Sequence, residues 1–158
     1  MTRQEIQDFT LRITHANSTQ MIVILYDIIL TYTKDCRKCL EDGDIKAFRI
    51  EITNLRNAFK ELMDSVDTSI DLGLNLIKLY IFCTQQITKA DTNSDPSYLT
   101  NVEHVIEGLK ESYNEIAPLD KSEAIMGNTE KVYAGLTYNP YGQSENMVEN
   151  STSRGYLA

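Results

Sequence analysis

Between Ile45 and Val66 the apolar residues Ile45, Phe48, Ile52, Leu55, Phe59, Leu62 and Val66 alternate steps of three and four without a break. On an α-helix that series forms one seam with a period of 3.5, the pattern of a helix that packs against other helices. A second clean seam follows downstream in Leu99, Val102, Ile106, Leu109, Tyr113 and Ile116. Asp95 as cap and Pro96 at the first helical position open it, and Pro118 closes it. Two one-sided helices of this kind need partners, and the chain supplies two more helical segments.

The first runs from about Ser18 to about Leu40. Asn17 and Gln20 have the spacing of a capping box, and Gly43 and Asp44 suit the exit and the next cap. Met21, Leu25, Ile28, Tyr32, Cys36 and Cys39 form its expected core face, with Ile22, Ile24 and Ile29 to the side. The other runs from about Ile70 to Ala90, with Thr68 or Ser69 available as its cap. Leu72, Leu76, Leu79, Cys83 and Ile87 form its expected face, and Leu74, Ile77, Ile81 and Phe82 add further apolar arcs. Short linkers make neighbours antiparallel. The expected fold is all-α: an antiparallel up-down-up-down four-helix bundle over residues 17–117. A loosely held arm over residues 1–16 precedes it. Residues 118–158 read as a mostly disordered, flexible tail with a sticky stretch at Val132 to Gly142.

At 158 residues the chain has room for one domain and a tail. Its formal net charge of -8, from 15 basic and 23 acidic residues, argues against nucleic acid and against a polybasic hold on membranes. The basic stripe Lys46, Arg49, Arg56 and Lys60 reads as a solvated face, as does the acidic column Glu103, Glu107, Glu111 and Glu115. No apolar run reaches a membrane span. With no signal-peptide pattern and three cysteines, a reduced, cytoplasmic protein is expected.

The usual chemistry finds no foothold. Cys36-Arg-Lys-Cys39 has the C-x-x-C spacing but sits late in a helix at core-compatible positions, so packed thiols are expected. A di-iron bundle needs two Glu-x-x-His motifs, and the two histidines, His15 and His104, complete none. No phosphate-cradling loop or nucleophile elbow occurs. Neither catalysis, a metal nor another cofactor is expected. What remains is surface: the first and third helices carry more apolar residues than one core absorbs. The excess suits a core that is simply wide, a homodimer, or an amphipathic partner chain laid in a groove.

Several motifs then fall in a recognisable order. Ala16-Asn-Ser-Thr-Gln-Met-Ile-Val-Ile-Leu-Tyr-Asp27 resembles the opening of the flagellar export chaperone family FliS. Glu61-Leu-Met-Asp-Ser-Val-Asp67, Asn75-Leu-Ile-Lys-Leu-Tyr80, Ala90-Asp91 and Gly108-Leu109 to Tyr113 are similar to its later motifs. The likeness spans roughly residues 9 to 117. Thr19 stands where the family has proline, Gln85-Gln86 where it has an arginine pair, Tyr113 where it has tryptophan, and Phe9 is the nearest aromatic to its early tyrosine. The resemblance implies a cytoplasmic chaperone that holds the disordered C-terminal segment of flagellin, prevents premature polymerisation and delivers it to the flagellar type III export gate. Motif positions and periodicity together nominate Ile22, Leu25, Tyr26 and Ile29, with Leu76, Ile77 and Tyr80, as the client groove. Phe9, Leu11 and Ile13 are expected to cover it. The alternative is a helical scaffold or dimerisation module without chaperone activity.

Overall fold

The computed structural model describes residues 1–126. They form five α-helices and a 3-10 turn: α1 (Arg3–Thr14), α2 (Ser18–Glu41), α3 (Ile45–Asp64), α4 (Asp71–Asn93), α5 (Ser97–Ile116) and the turn Ala117–Leu119. Among the described residues there is no strand. The sticky stretch Val132 to Gly142 lies outside them.

Local chemistry sets the boundaries. Asn17 accepts from the Gln20 N–H at 2.9 Å while the Gln20 side chain accepts from the Asn17 N–H at 3.0 Å, a complete capping box. At the far end of α2, Gly43 takes φ +72°. Its N–H donates to Leu40 O, and the Asp44 N–H donates to Cys39 O, the two bonds of a Schellman exit. Asp44 then caps α3 through the Ala47 N–H. Asp95 accepts from the Ser97 N–H at the start of α5. The α3–α4 turn differs from expectation. Neither Thr68 nor Ser69 caps α4; Ile70 is its N-cap and makes no side-chain bond. The turn is packed tightly there: a Cβ on Gly73 would lie 1.8 Å from the Asp67 carbonyl oxygen.

Four long helices enclose one core. α2 packs on α3 and α5, and α4 packs on the same two. Ile29, Phe48, Ile52, Leu55, Leu62, Cys83, Ile87, Leu99, Val102 and Ile106 are buried in it. Ion pairs tie the helices at their edges: Arg37 to Glu103, Arg56 to Asp91 and Lys110 to Asp27. The seams of α3 and α5 face inward from Phe48 to Leu62 and from Leu99 to Ile106, whereas their end residues Ile45 and Ile116 are exposed. On α2 the buried set is Val23, Ile24, Tyr26, Ile29, Thr33 and Cys36, so the helix is turned away from the expected face. Its apolar arc is too wide to select one orientation. On α4, Leu76, Cys83 and Ile87 are buried as expected, but Leu72 and Leu79 are exposed, and Tyr80, Gln86 and Ala90 take the inner positions.

The N-terminal arm differs from its reading as a loose segment, and residues 118–126, the described start of the expected tail, make specific contacts. Residues 3–14 form helix α1, opened by a Thr2–Glu5 capping box, and it packs on α2. Residues 117–125 run back to the start of α2. There Asp120 accepts from the Thr19 hydroxyl at 2.6 Å, Asn17 donates to Asp120 O at 3.0 Å, and the Ile125 N–H donates to Ala16 O at 3.0 Å.

Gly73 and Gly108 offer a matched test. Gly73→Ala forces a methyl onto the Asp67 carbonyl and should cost about 1–3 kcal/mol of stability. Gly108→Ala meets nothing within 4 Å and should stabilise by about 0.5–1 kcal/mol through helix propensity alone. Urea melts of both variants measure the difference.

Candidate functional site

The residues nominated for a groove fall into two groups. Tyr26, Ile29, Leu76 and Tyr80 are buried. They are core residues here and present almost no surface to a partner. Ile22, Leu25 and Ile77 are half-buried against the same core. Ile22, Leu76 and Tyr80 meet at one cleft of about 150 Å³, whose wall also includes Val66, Leu72 and Tyr113. Leu25, Tyr26, Ile29 and Ile77 do not line it.

Tyr80, at this cleft, is joined in the core to Tyr26. The Tyr26 and Tyr80 hydroxyls hydrogen-bond at 2.7 Å inside the core. The Tyr113 ring meets the Tyr26 ring edge-on at 5.5 Å between centroids, and Phe59 meets Tyr80 at 6.4 Å. Burial is the main reason both phenols resist ionisation. Tyr80 is pushed up to about 12, and Tyr26 is raised further, with the Tyr80 hydroxyl adding to its shift.

Burial likewise pushes the thiols of Cys36 and Cys83 up to about 12. Cys39 is half-buried and shifted the same way, again by burial first. All three cysteines are free. A thiol held protonated is a poor nucleophile and a poor metal ligand, so C-x-x-C supplies packing here.

The surplus apolar surface has two fates. On α2, Val23 and Ile24 are buried beside Ala16, under a cleft of about 330 Å³ that α1 walls with Arg12. Arg12 also pairs with Asp27, which receives Lys110 from α5 on its other oxygen at 2.6 Å. Of the expected covering residues, Phe9 and Ile13 are half-buried, whereas Leu11 is 64% exposed and covers nothing.

On α4 the surplus stays open. Leu72 (65% exposed), Leu79 and Phe82 recur with Gln86 along one stripe. Gln86 accepts from Asn101 of α5 at 3.4 Å, so this flank borders α5. Half-buried Val105 and Leu109 of α5 are packed against the core. Leu74 and Ile81 are exposed on another stripe, toward α3. The sequence reading noticed Leu74, Ile81 and Phe82 as extra arcs but placed Leu72 and Leu79 in the core. Their exposure was legible only as an excess of apolar residues on one helix.

Among the described residues, no helix is long and apolar enough to cross a membrane.

A family model described as Flagellar protein FliS matches residues 1–120. The chain belongs to this family of flagellar export chaperones. No curated protein matches it.

The buried tyrosine pair has a pH signature. Its raised values mean that the fold keeps protons the unfolded chain gives up near pH 10.0, the ordinary tyrosine value. The stabilising contribution is therefore intact below that pH and is lost as pH rises through about 12. Urea melts across this window should show stability falling less steeply in a Tyr26→Phe, Tyr80→Phe double variant. At neutral pH Tyr26→Phe leaves the buried Tyr80 hydroxyl without its partner and should cost about 1–3 kcal/mol, and Tyr80→Phe should cost less, because Tyr113 remains beside the Tyr26 hydroxyl. The double variant should cost less than the sum of the two.

Proposed function

We propose that the protein is a cytoplasmic export chaperone that binds the disordered C-terminal region of flagellin. It keeps that region from polymerising and delivers its client to the flagellar type III export apparatus. The observation that carries this reading is the uncovered apolar surface of α4, on a protein whose matching family consists of export chaperones. The scaffold is an antiparallel up-down-up-down four-helix bundle. The ring of packing among α2, α3, α4 and α5 supports that topology. So do the crossing ion pairs, in which Asp27 meets Lys110 while Arg37, further along α2, meets Glu103, earlier on α5.

A client that folds on binding buries on the order of 1,000–3,000 Å² and spends several kcal/mol on ordering. That demands apolar contact along much of one helix. Leu72, Leu79 and Phe82 supply it in the resting fold, and the cleft at Ile22, Leu76 and Tyr80 continues it at one end. Leu25 and Ile77 add half-exposed edges. Tyr26 and Ile29 support the site from beneath. Helix α1 packs on α2, with Phe9 and Ile13 half-buried, and its displacement would extend the site there.

Titration calorimetry with a peptide spanning the C-terminal segment of the organism's own flagellin tests this. One-to-one binding with a negative heat-capacity change is expected. Phe82→Asp and Leu79→Asp should each weaken it by about tenfold, the scale of a hot-spot contact. Removing residues 1–13 should tighten it. No binding by either the full chain or the truncation overturns the reading. The α4 surface would then fit the scaffold alternative, and light scattering should find a dimer.

A further inference from the structure

None of the 12 residues of α1 is buried, so apolar packing alone gives it a weak hold on the bundle. Polar contacts add to it. The Met1 amino group meets Asp35 and Glu51 at one end, and Arg12 meets Asp27 near the other. The chain then turns into α2 through His15, Ala16 and Asn17. Arg12 and His15 share the cleft of about 330 Å³ with Val23 and Ile24 of α2. Lifting α1 opens that cleft, and it requires the backbone to turn within the three-residue joint.

The joint is not free to turn. Ala16 and Asn17 are only 2% and 5% exposed. The Ile125 N–H donates to Ala16 O at 3.0 Å, and Asn17 Nδ2 donates to Asp120 O at 3.0 Å. Both partners belong to the segment that follows α5. Asn17 Oδ1 is occupied separately by the Gln20 N–H. Turning the joint while that segment stays in place strips buried residues of their hydrogen-bond partners, which is costly.

Asp120 anchors the segment. Its Oδ2 accepts from the Thr19 hydroxyl at 2.6 Å and from the Thr19 N–H at 3.4 Å, and its Oδ1 accepts from the Ser122 N–H at 3.0 Å. The carboxylate thus sits at the start of α2, where the helix dipole favours negative charge. The Thr19 hydroxyl above all holds this carboxyl well below the usual carboxylate range.

We propose that residues 120–125 form a strap across the α1–α2 joint, anchored by Asp120 on Thr19, and that this strap sets how often α1 lifts from the bundle. The proposal rests on the reading of α1 as a movable cover of the client surface. It adds control of that cover by a residue 101 positions from its anchor point.

A lifted α1 is a short helix without a partner. Helices of that length are marginal in water, so it unwinds and its amides exchange. Native-state hydrogen exchange on the full chain therefore reads the opening. In Asp120→Ala the α1 amides should exchange about tenfold faster, the scale of one lost hydrogen bond to a charged group. Thr19→Val should act in the same direction, and combining the two should add little, because both remove one contact. If the α1 amides keep the parent's rate in Asp120→Ala, whether or not those of α3 speed up, Asp120 serves stability alone and the proposal is overturned.

Apparent affinity scales with the fraction of binding-competent chains. Calorimetry with the flagellin peptide should therefore show Asp120→Ala tightening binding by the same factor as the α1 exchange. The variant should tighten nothing further in a chain that lacks residues 1–13. Tightening that persists in the truncated chain overturns the proposal, because Asp120 would then act elsewhere than on α1. If no version binds the peptide, the reading of the client surface falls, while the α1 exchange rates still decide for or against the strap.

Discussion

A hydrogen bond between two buried phenols holds the centre of this protein. Tyr26 comes from α2 and Tyr80 from α4, helices that pack chiefly on α3 and α5 rather than on each other. Edge-on ring contacts extend the pair to Tyr113 on α5 and Phe59 on α3. One chain of aromatic contacts thus touches all four long helices. A leucine core tolerates small slides, because one methyl replaces another at little cost. A buried hydroxyl does not, because losing its partner leaves an unsatisfied polar group in a low dielectric. The pair therefore sets both the rotation of α2 and the rotation of α4.

That rotation decides what is left outside. With Tyr80 drawn inward, Cys83, Ile87 and Ala90 follow on the same face, and Leu72, Leu79 and Phe82 are carried to the surface. With Tyr26 drawn inward, Ile29 and Cys36 follow, and Val23 and Ile24 turn toward α1. The two helices with surplus apolar surface thus end differently. The chain covers α2 with its own α1, pinned by Arg12 on Asp27, and with the segment from Asp120 to Ile125. α4 receives no comparable cover among the described residues.

Much of this was legible in the residues. The seams of α3 and α5 are narrow, so periodicity alone identified their inward faces. The Asn17 capping box, the Gly43 exit and the Asp44 cap rest on bonds within a few residues, and each formed as its spacing required. The α1 helix was missed because its apolar positions are sparse; its Thr2–Glu5 box was the available signal. The α4 start was misread because its cap position falls on Ile70, one residue beyond Ser69, so neither hydroxyl residue stands where it could cap. The residues expected to form a groove divide between core and edge. Tyr26, Ile29, Leu76 and Tyr80 belong to apolar arcs broad enough for core or surface, and nothing local separates the two.

The sequence by itself determined an all-helical fold for the described residues, the approximate extent of its four long helices, and the presence of more apolar surface than one core uses. These follow from short-range periodicity and capping, which any reader of the chain can count. Only the tertiary structure decided which of those apolar residues are inside. The choice rests on a contact between positions 54 residues apart, and no local pattern encodes which of several equally apolar faces will be turned to meet it.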